Sequence, residues 1–281
     1  MNCASRLYRA YLRAADHPAK LRIIRWLERL IFPASGREFD VENNLRLLLH
    51  PRDYCERQLI VTGRYQSELC RFMCSNLSEG NIALIAGISF GMQPILASRS
   101  VGPAGCVVAV DPHPKALLRA RQNILLNDGT DNIRLVSAAL GAEGSIAPLG
   151  DIPDDHIGWG SLVTRDAGRL PFHVQVETIG SIFSRLKLPR LDMLVLDVIG
   201  YELPILSALL PPHIPKILMV AVHSWVTNHV GDSFEDFRKA LRSFGYICRN
   251  IYGDEPRSAE DLPDYHMVGV LREAPVTWLR K

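Results

Sequence analysis

The run Leu84-Ile-Ala-Gly-Ile-Ser-Phe-Gly91 and its partner Val107-Val-Ala-Val-Asp-Pro112 constrain this chain more than any other feature. Each is a short apolar segment ending in a turn, the pattern of a strand buried on both faces. Gly87 and Gly91 let the backbone turn tightly and come close to a ligand. Asp111 falls where the second strand opens to solvent, about 20 residues beyond the glycine turn, a spacing suited to accepting hydrogen bonds from ribose hydroxyls. The pair predicts a nucleoside-bearing ligand held on an α/β sheet.

The flanking sequence continues the same alternation. Strands are expected at Ile82–Ala86, Cys106–Val110 and Ile133–Ser137, with a crossover helix at Lys115–Leu126 that turns Leu117, Ala120, Ile124 and Leu125 inward. After a looser Gly-, Asp- and Pro-rich segment from Ala138 to Leu170, strands follow at Val174–Glu177, Leu194–Val198 and Ile217–Val222. Pro204 suits the first turn of a helix that carries Leu203, Leu206 and Leu210 inward. Ser233-x-x-Asp236 reads as a capping box, with Phe234, Phe237, Leu241 and Phe244 as the buried stripe behind it. Tyr246–Ile251 and His266–Leu271 close the sheet as an antiparallel pair. A βαβ order of this kind gives a mostly parallel sheet covered on both faces.

Residues 5 to 32 read as helix, interrupted near His17-Pro18, with Leu21, Ile24, Trp26, Leu27 and Ile31 as an apolar face among many arginines. Such a helix either lies on a membrane surface or packs on its own domain. A short strand at Leu45–Leu49 and helices at Tyr54–Ile60 and Ser67–Leu77 complete an N-terminal helical cap over residues 1–78, ahead of a Rossmann-like domain over 79–281. The net charge of +2 over 281 residues does not mark a nucleic-acid binder. No run of about 20 apolar residues predicts a membrane span. Six scattered cysteines predict reduced thiols and a cytoplasmic location. Cys70 and Cys74 share a helix face, but two ligands are too few for a metal site, and no metal is assigned.

Several further blocks, in order, give the chain its resemblance to a known family. Gly63-Arg-Tyr65-Gln66 is similar to an upstream Gly-x-Tyr-Glu turn. Gly87-x-x-x-Gly91 matches a glycine loop, and Val107-Val-Ala-Val-Asp111-Pro-His-Pro114, with Asn123 and Asn127 beyond it, a ribose strand. Ala138-Ala-Leu-Gly141 and Gly158-Trp-Gly-Ser161-Leu162 follow. Leu191-Asp-Met-Leu-Val-Leu-Asp197-Val-Ile-Gly200-Tyr-Glu202 is the most specific block. Over roughly residues 54 to 271 the chain resembles the FkbM family of S-adenosylmethionine-dependent methyltransferases. The resemblance implies a seven-strand Rossmann-like class I methyltransferase fold, S-adenosylmethionine as cofactor and transfer to a small-molecule or sugar-like hydroxyl. It also shows departures: Ile85, Ser89, Gln66, Val195, Ile199 and Ala221 stand where the family carries polar or charged residues.

On this reading Asp111 and Pro112 hold the ribose, and Gly87, Ser89 and Gly91 pass beneath the methionyl end. Tyr65 and Asp197 also belong to the cofactor site, and Ala138 borders the adenine with Ser161 nearby. A hydroxyl acceptor needs a base or a metal. Asp197 and Glu202 beyond the fourth buried strand and His223 beyond the fifth are the catalytic candidates. Glu202 reads equally as a helix cap, and His223 as a hydrogen-bonded structural residue. Two other functions compete. Gly87-Ile-Ser89-Phe-Gly91 is a literal Gly-x-Ser-x-Gly, with Asp197 and His266 following in the chain order of an α/β-hydrolase. The neutral positions alternatively suit a catalytically degenerate family member that acts as a binding protein.

Overall fold

A computed structural model describes residues 11, 19–31, 36–149, 162, 172–223 and 231–280. Its centre is a seven-stranded sheet in the order β11-β12-β10-β9-β3-β4-β5, formed by β3 (Ile82–Ala86), β4 (Cys106–Asp111), β5 (Ile133–Ser137), β9 (Met193–Leu196), β10 (Ile217–Ala221), β11 (Tyr246–Arg249) and β12 (His266–Leu271). β5, β4, β3, β9 and β10 run parallel, and β12 pairs antiparallel with both β10 and β11. The chain builds outward from β3 to β5, then returns to lay β9 on the other side of β3. A crevice therefore opens at the carboxyl ends of β3 and β9, where the winding reverses.

Strand periodicity explains why both faces are covered. Ile82, Leu84 and Ala86 point into one core with Leu194, Leu196, Leu218 and Val220; Ala83 and Ile85 point into the other with Val107, Ala109, Val195 and Met219. Every residue of β3, β9 and β10 is buried, which is why these segments read as unbroken apolar runs. Fully burying each Leu or Ile contributes about 1.5–3 kcal/mol. One face is covered by α3 (Ser67–Asn76) and α4 (Met92–Val101), and the other by α6 (Ile179–Leu186), α7 (Glu202–Ser207) and α8 (Phe234–Ser243). The expected capping box is present: the Ser233 side chain accepts from the Asp236 backbone N–H, and Asp236 accepts from that of Ser233.

Several expectations are corrected. The strand expected at Leu45–Leu49 is present as β2, and it pairs antiparallel with a strand the sequence did not mark, β1 (Arg37–Val41), between α1 (Lys20–Ile31) and α2 (Tyr54–Thr62). β1 carries alternating charge and one buried side chain, Phe39, so it lacks the apolar run that marks a central strand. The segment expected to be loose contains β6 (Ala139–Leu140) and β7 (Ser145–Leu149), which pair with β8 (Phe172–Glu177) in a small second sheet. β9 ends at Leu196 instead of Val198, β10 at Ala221 and β11 at Arg249, whereas β4 extends to Asp111. Trp26, Leu125 and Leu210 face outward, at 61%, 69% and 69% exposure. Leu125 is the last residue of α5 (Pro114–Leu125), and Leu210 lies beyond α7, so helical phase no longer aims them at the core. Residues 1–10, 12–18, 158–161 and most of the remaining Gly-rich segment, with Ser161, lie outside the described residues.

The hairpin is held against the sheet layer by polar side chains of α5 (Pro114–Leu125) and the turn just beyond it. Asn123 accepts from the Leu48 N–H at 2.7 Å and donates to the Phe90 carbonyl at 2.8 Å. Asn127 accepts from the Arg46 N–H at 3.1 Å and donates to the Arg46 carbonyl at 2.7 Å. The asparagines thus satisfy the open edge of β2 while fixing the loop after β3.

Candidate active site

The crevice is built on a close backbone approach. Gly87 follows β3 with φ +82°, and a Cβ there would lie 1.9 Å from the Asp197 carbonyl oxygen. The Asp197 N–H bonds the Ala86 carbonyl at 3.0 Å, so the β3–β9 pairing itself sets this proximity. Gly91, φ +88°, begins α4 where a Cβ would meet Ala120 Cα at 2.8 Å. Between them Ser89 sits at φ 48°, and its buried hydroxyl has no hydrogen-bond partner among the described residues. The Asp111 carboxylate joins the two loops: one oxygen accepts from the Ile88 N–H at 3.1 Å and the other from the His113 N–H at 2.8 Å. Burial raises the Asp111 pKa to about 6, against the pull of those donors.

Beyond β9 a second polar group assembles around Asp197. One carboxylate oxygen lies 3.0 Å from His223 Nε2, and the other accepts from Gln66 Nε2 at 3.1 Å. Gln66 in turn accepts from Gln93 Nε2. Burial pushes the Asp197 carboxyl upward, but the His223 hydrogen bond, the neighbouring imidazoles and Gln66 outweigh it and bring the pKa down to about 2. Burial pulls His223 downward, and the Asp197 hydrogen bond and charge overcome that, so its pKa is raised. The Tyr265 ring lies 5.3 Å from His223, and Tyr65 packs on Phe90 at 5.3 Å. His266 is fully buried; its Nδ1 meets the Asp264 carbonyl at 2.5 Å, which makes Nδ1 the protonated nitrogen and leaves Nε2 a buried acceptor with no partner among the described residues. Burial lowers its pKa, so it is neutral at pH 7.

Glu202 has a different place. Its carboxylate accepts from the Val198 N–H at 3.0 Å and the Gly200 N–H at 2.8 Å, so both oxygens are engaged by its own loop. Burial raises its pKa to about 7. The loop it closes holds Ile199 at φ 55°, a conformation that costs a β-branched residue roughly 1–2 kcal/mol. Gln66, at φ 45°, is held in the same left-handed region. Strain of this kind concentrates at sites where the surroundings dictate the backbone.

Of the residues singled out in the sequence, Tyr65, Gly87, Ser89, Asp111, Pro112, Ala138 and Asp197 line one cleft that opens to solvent. Gly91, Glu202 and His223 are not among its lining residues; His223 meets it through Asp197. The cleft also takes in Gln66, Gln93, Tyr201, Leu140, Leu149 and Leu162, which the sequence reading did not assign to the site. Gln66 had a signal, since it replaces the acidic residue of a recognisable turn. Gln93 had none, being one polar residue in a helix with no polar pattern. Ser89 lacks the histidine contact of an elbow nucleophile, and the Asp197 side chain bonds His223, not His266. Among the described residues no group of three or more His, Cys, Asp or Glu is arranged to hold a metal ion.

A reversed-winding sheet with a glycine turn after β3, a carboxylate at the end of β4 and a cleft between them is the Rossmann-like fold of class I methyltransferases. A domain described as the methyltransferase FkbM domain matches residues 89–248, more than half of the sequence. The chain belongs to this family and is an S-adenosylmethionine-dependent methyltransferase. It is also similar to solved structures of low identity. One is a putative rRNA-methylase from Clostridium thermocellum (10% identity, 72% of this chain and 91% of that one, TM-score 0.44). Another is an S-adenosylmethionine-dependent O-methyltransferase from Thermotoga maritima (13%, 93% and 83%, TM-score 0.42). A third is an S-adenosylmethionine-dependent methyltransferase from Aquifex aeolicus (14%, 73% and 87%, TM-score 0.40). No curated protein matches the chain. Among the described residues no helix is long and apolar enough to cross a membrane.

Proposed function

We propose that the enzyme methylates a hydroxyl of a small or sugar-like molecule in the cytoplasm, with the Asp197–His223 pair as its acid–base machinery. The observation that carries this reading is the 3.0 Å contact between the His223 ring and a carboxylate beside the glycine loop. The cleft suits the cofactor on three counts. A buried carboxylate, Asp111, stands at the end of β4; Gly87 leaves no side chain between the two loops; and buried polar atoms of Ser89 and Gln93 have no partner among the described residues. In this reading Asp111 accepts from the ribose hydroxyls, Pro112 and Ala138 flank the adenine, and Tyr65, Gly87, Ser89 and Asp197 border the methionyl end. Gly91 sets the helix that closes the loop.

Bound there, the cofactor supplies an electrophilic methyl group. The protein's part is to position the acceptor and move its proton. His223 takes the hydroxyl proton. Asp197 orients the ring and stabilises the imidazolium; with a pKa near 2 it is too weak a base to take the proton itself. Glu202 shapes the loop that aims Asp197, so it is a positioning residue.

The test is methyl transfer to a panel of hydroxyl compounds, followed as release of S-adenosylhomocysteine. His223→Gln is expected to lower kcat by about 10²–10⁴-fold while leaving S-adenosylhomocysteine affinity within about twofold, since a base that does not hold the cofactor adds little to its binding free energy. Unchanged turnover in that variant, or a product methylated on nitrogen or carbon, would overturn the reading.

A further inference from the structure

We infer that Gln93 recognises the methionyl end of the cofactor, its side-chain carbonyl accepting from the α-ammonium. This rests on the cofactor reading above and goes beyond it to a residue with no assigned role.

The orientation of two amides carries the argument. Asp197 is ionised at neutral pH, and a carboxylate only accepts hydrogen bonds. Gln66 must therefore present its NH₂ to Asp197, at 3.1 Å, which turns its carbonyl toward Gln93. Gln93 must then present its own NH₂ to that carbonyl. By elimination Gln93 Oε1 points away from the pair as an acceptor. It is buried, on a residue only 6% exposed, and it has no partner among the described residues. Buried acceptors are rarely left unpaired, and those that are call for a donor from elsewhere.

Sheet order says which donor. The cleft runs from Asp111 at the end of β4, past Gly87 at the end of β3, to Asp197 at the end of β9. With the ribose at Asp111, the adenine extends toward Ala138 beyond β5, and the opposite end of the cofactor extends toward β9, where Gln93 lines the cleft. That end carries a carboxylate, a sulfonium and an ammonium. Of the three, only the ammonium has hydrogens to donate.

Calorimetric titration with S-adenosylhomocysteine and with its deaminated analogue, which lacks only that amine, tests the assignment without any methyl acceptor. The wild type is expected to bind the amine form at least about tenfold more tightly. In Gln93→Met the amine form should weaken by about that factor and the deaminated form should not change, so the gap closes. Equal weakening of both ligands would overturn the assignment and reduce Gln93 to shaping the cleft. If Gln93→Met does not fold, Gln93→Glu, which keeps an acceptor, must preserve or widen the gap; a closed gap there also overturns it. Binding of neither ligand to the wild type is a separate result, which overturns the cofactor reading and this inference together.

Discussion

Asp111 and Asp197 are both buried carboxylates at strand ends, yet their surroundings push them in opposite directions. At Asp111 the backbone N–H donors do not offset burial, and its pKa is about 6; at Asp197 the His223 hydrogen bond, the imidazoles and Gln66 do, and its pKa is about 2. The consequences for stability have opposite sign. Ionising Asp111 costs the folded state, so its unfavourable contribution is complete above pH 6 and relieved as pH falls toward the unfolded value of 3.8. Relative to Asp111→Asn, the wild type should therefore gain about 2 kcal/mol between pH 7 and pH 4 in denaturant unfolding. No pH dependence in that difference would show the carboxyl to be unperturbed. His223 shifts stability with pH in the same direction, but because its charged form is favoured by Asp197. Its raised pKa stabilises the fold fully below the unfolded value of 6.5 and loses that contribution as pH rises through the folded value. The stability gap between wild type and His223→Asn should shrink from pH 6 to pH 9; a gap that grew with pH would place the charge elsewhere. At this scale the sequence marked Asp111, Asp197 and His223 as strand-end residues, and the structure places them at or just beyond the carboxyl ends of β4, β9 and β10. The sequence was silent on Gln93, whose importance comes from Gln66 and Asp197, both distant in the chain.

At the scale of elements, two loops decide the site, and each has a single weak point. Gly87→Ala would drive a methyl group into the Asp197 backbone at a position where only glycine is unstrained. It should cost more than about 2 kcal/mol in unfolding and remove cofactor binding; a folded variant with normal affinity would mean the β3 and β9 loops are not locked together. In the loop after β9, Glu202→Gln keeps one acceptor but sets an NH₂ group against a backbone N–H, a loss of about 1–3 kcal/mol. If Glu202 only positions Asp197, kcat should fall while the pH profile of the reaction keeps its His223 limb. The central strands were legible because burial on both faces writes an unbroken apolar run. β1, β6 and β7 were not, because their stability comes from a partner strand and not from their own composition. Trp26, Leu125 and Leu210 show the limit of helical phase, which fixes a face but not where that face stops being covered.

Across the whole molecule, the reversal of winding at β3 and β9 is what makes the site. It brings a loop at residue 87 against one at 197 and leaves the cleft above them. The N-terminal hairpin is part of this arrangement: Phe39, Leu45 and Leu47 share one core with Ile85 and Ala109, and Asn123 ties β2 to the loop carrying Ser89. We expect the described N-terminal elements and the sheet to unfold in one calorimetric transition, whereas two separated transitions would make residues 1–78 an independent domain. The central claim is that this cleft holds the cofactor, and the most direct measurement is the thermal stability of wild type and Asp111→Ala titrated with S-adenosylhomocysteine. At 100 times its dissociation constant the ligand should stabilise the wild type by about 2.7 kcal/mol and leave Asp111→Ala unmoved. Equal stabilisation of both proteins, or none of the wild type at millimolar ligand, would contradict the account.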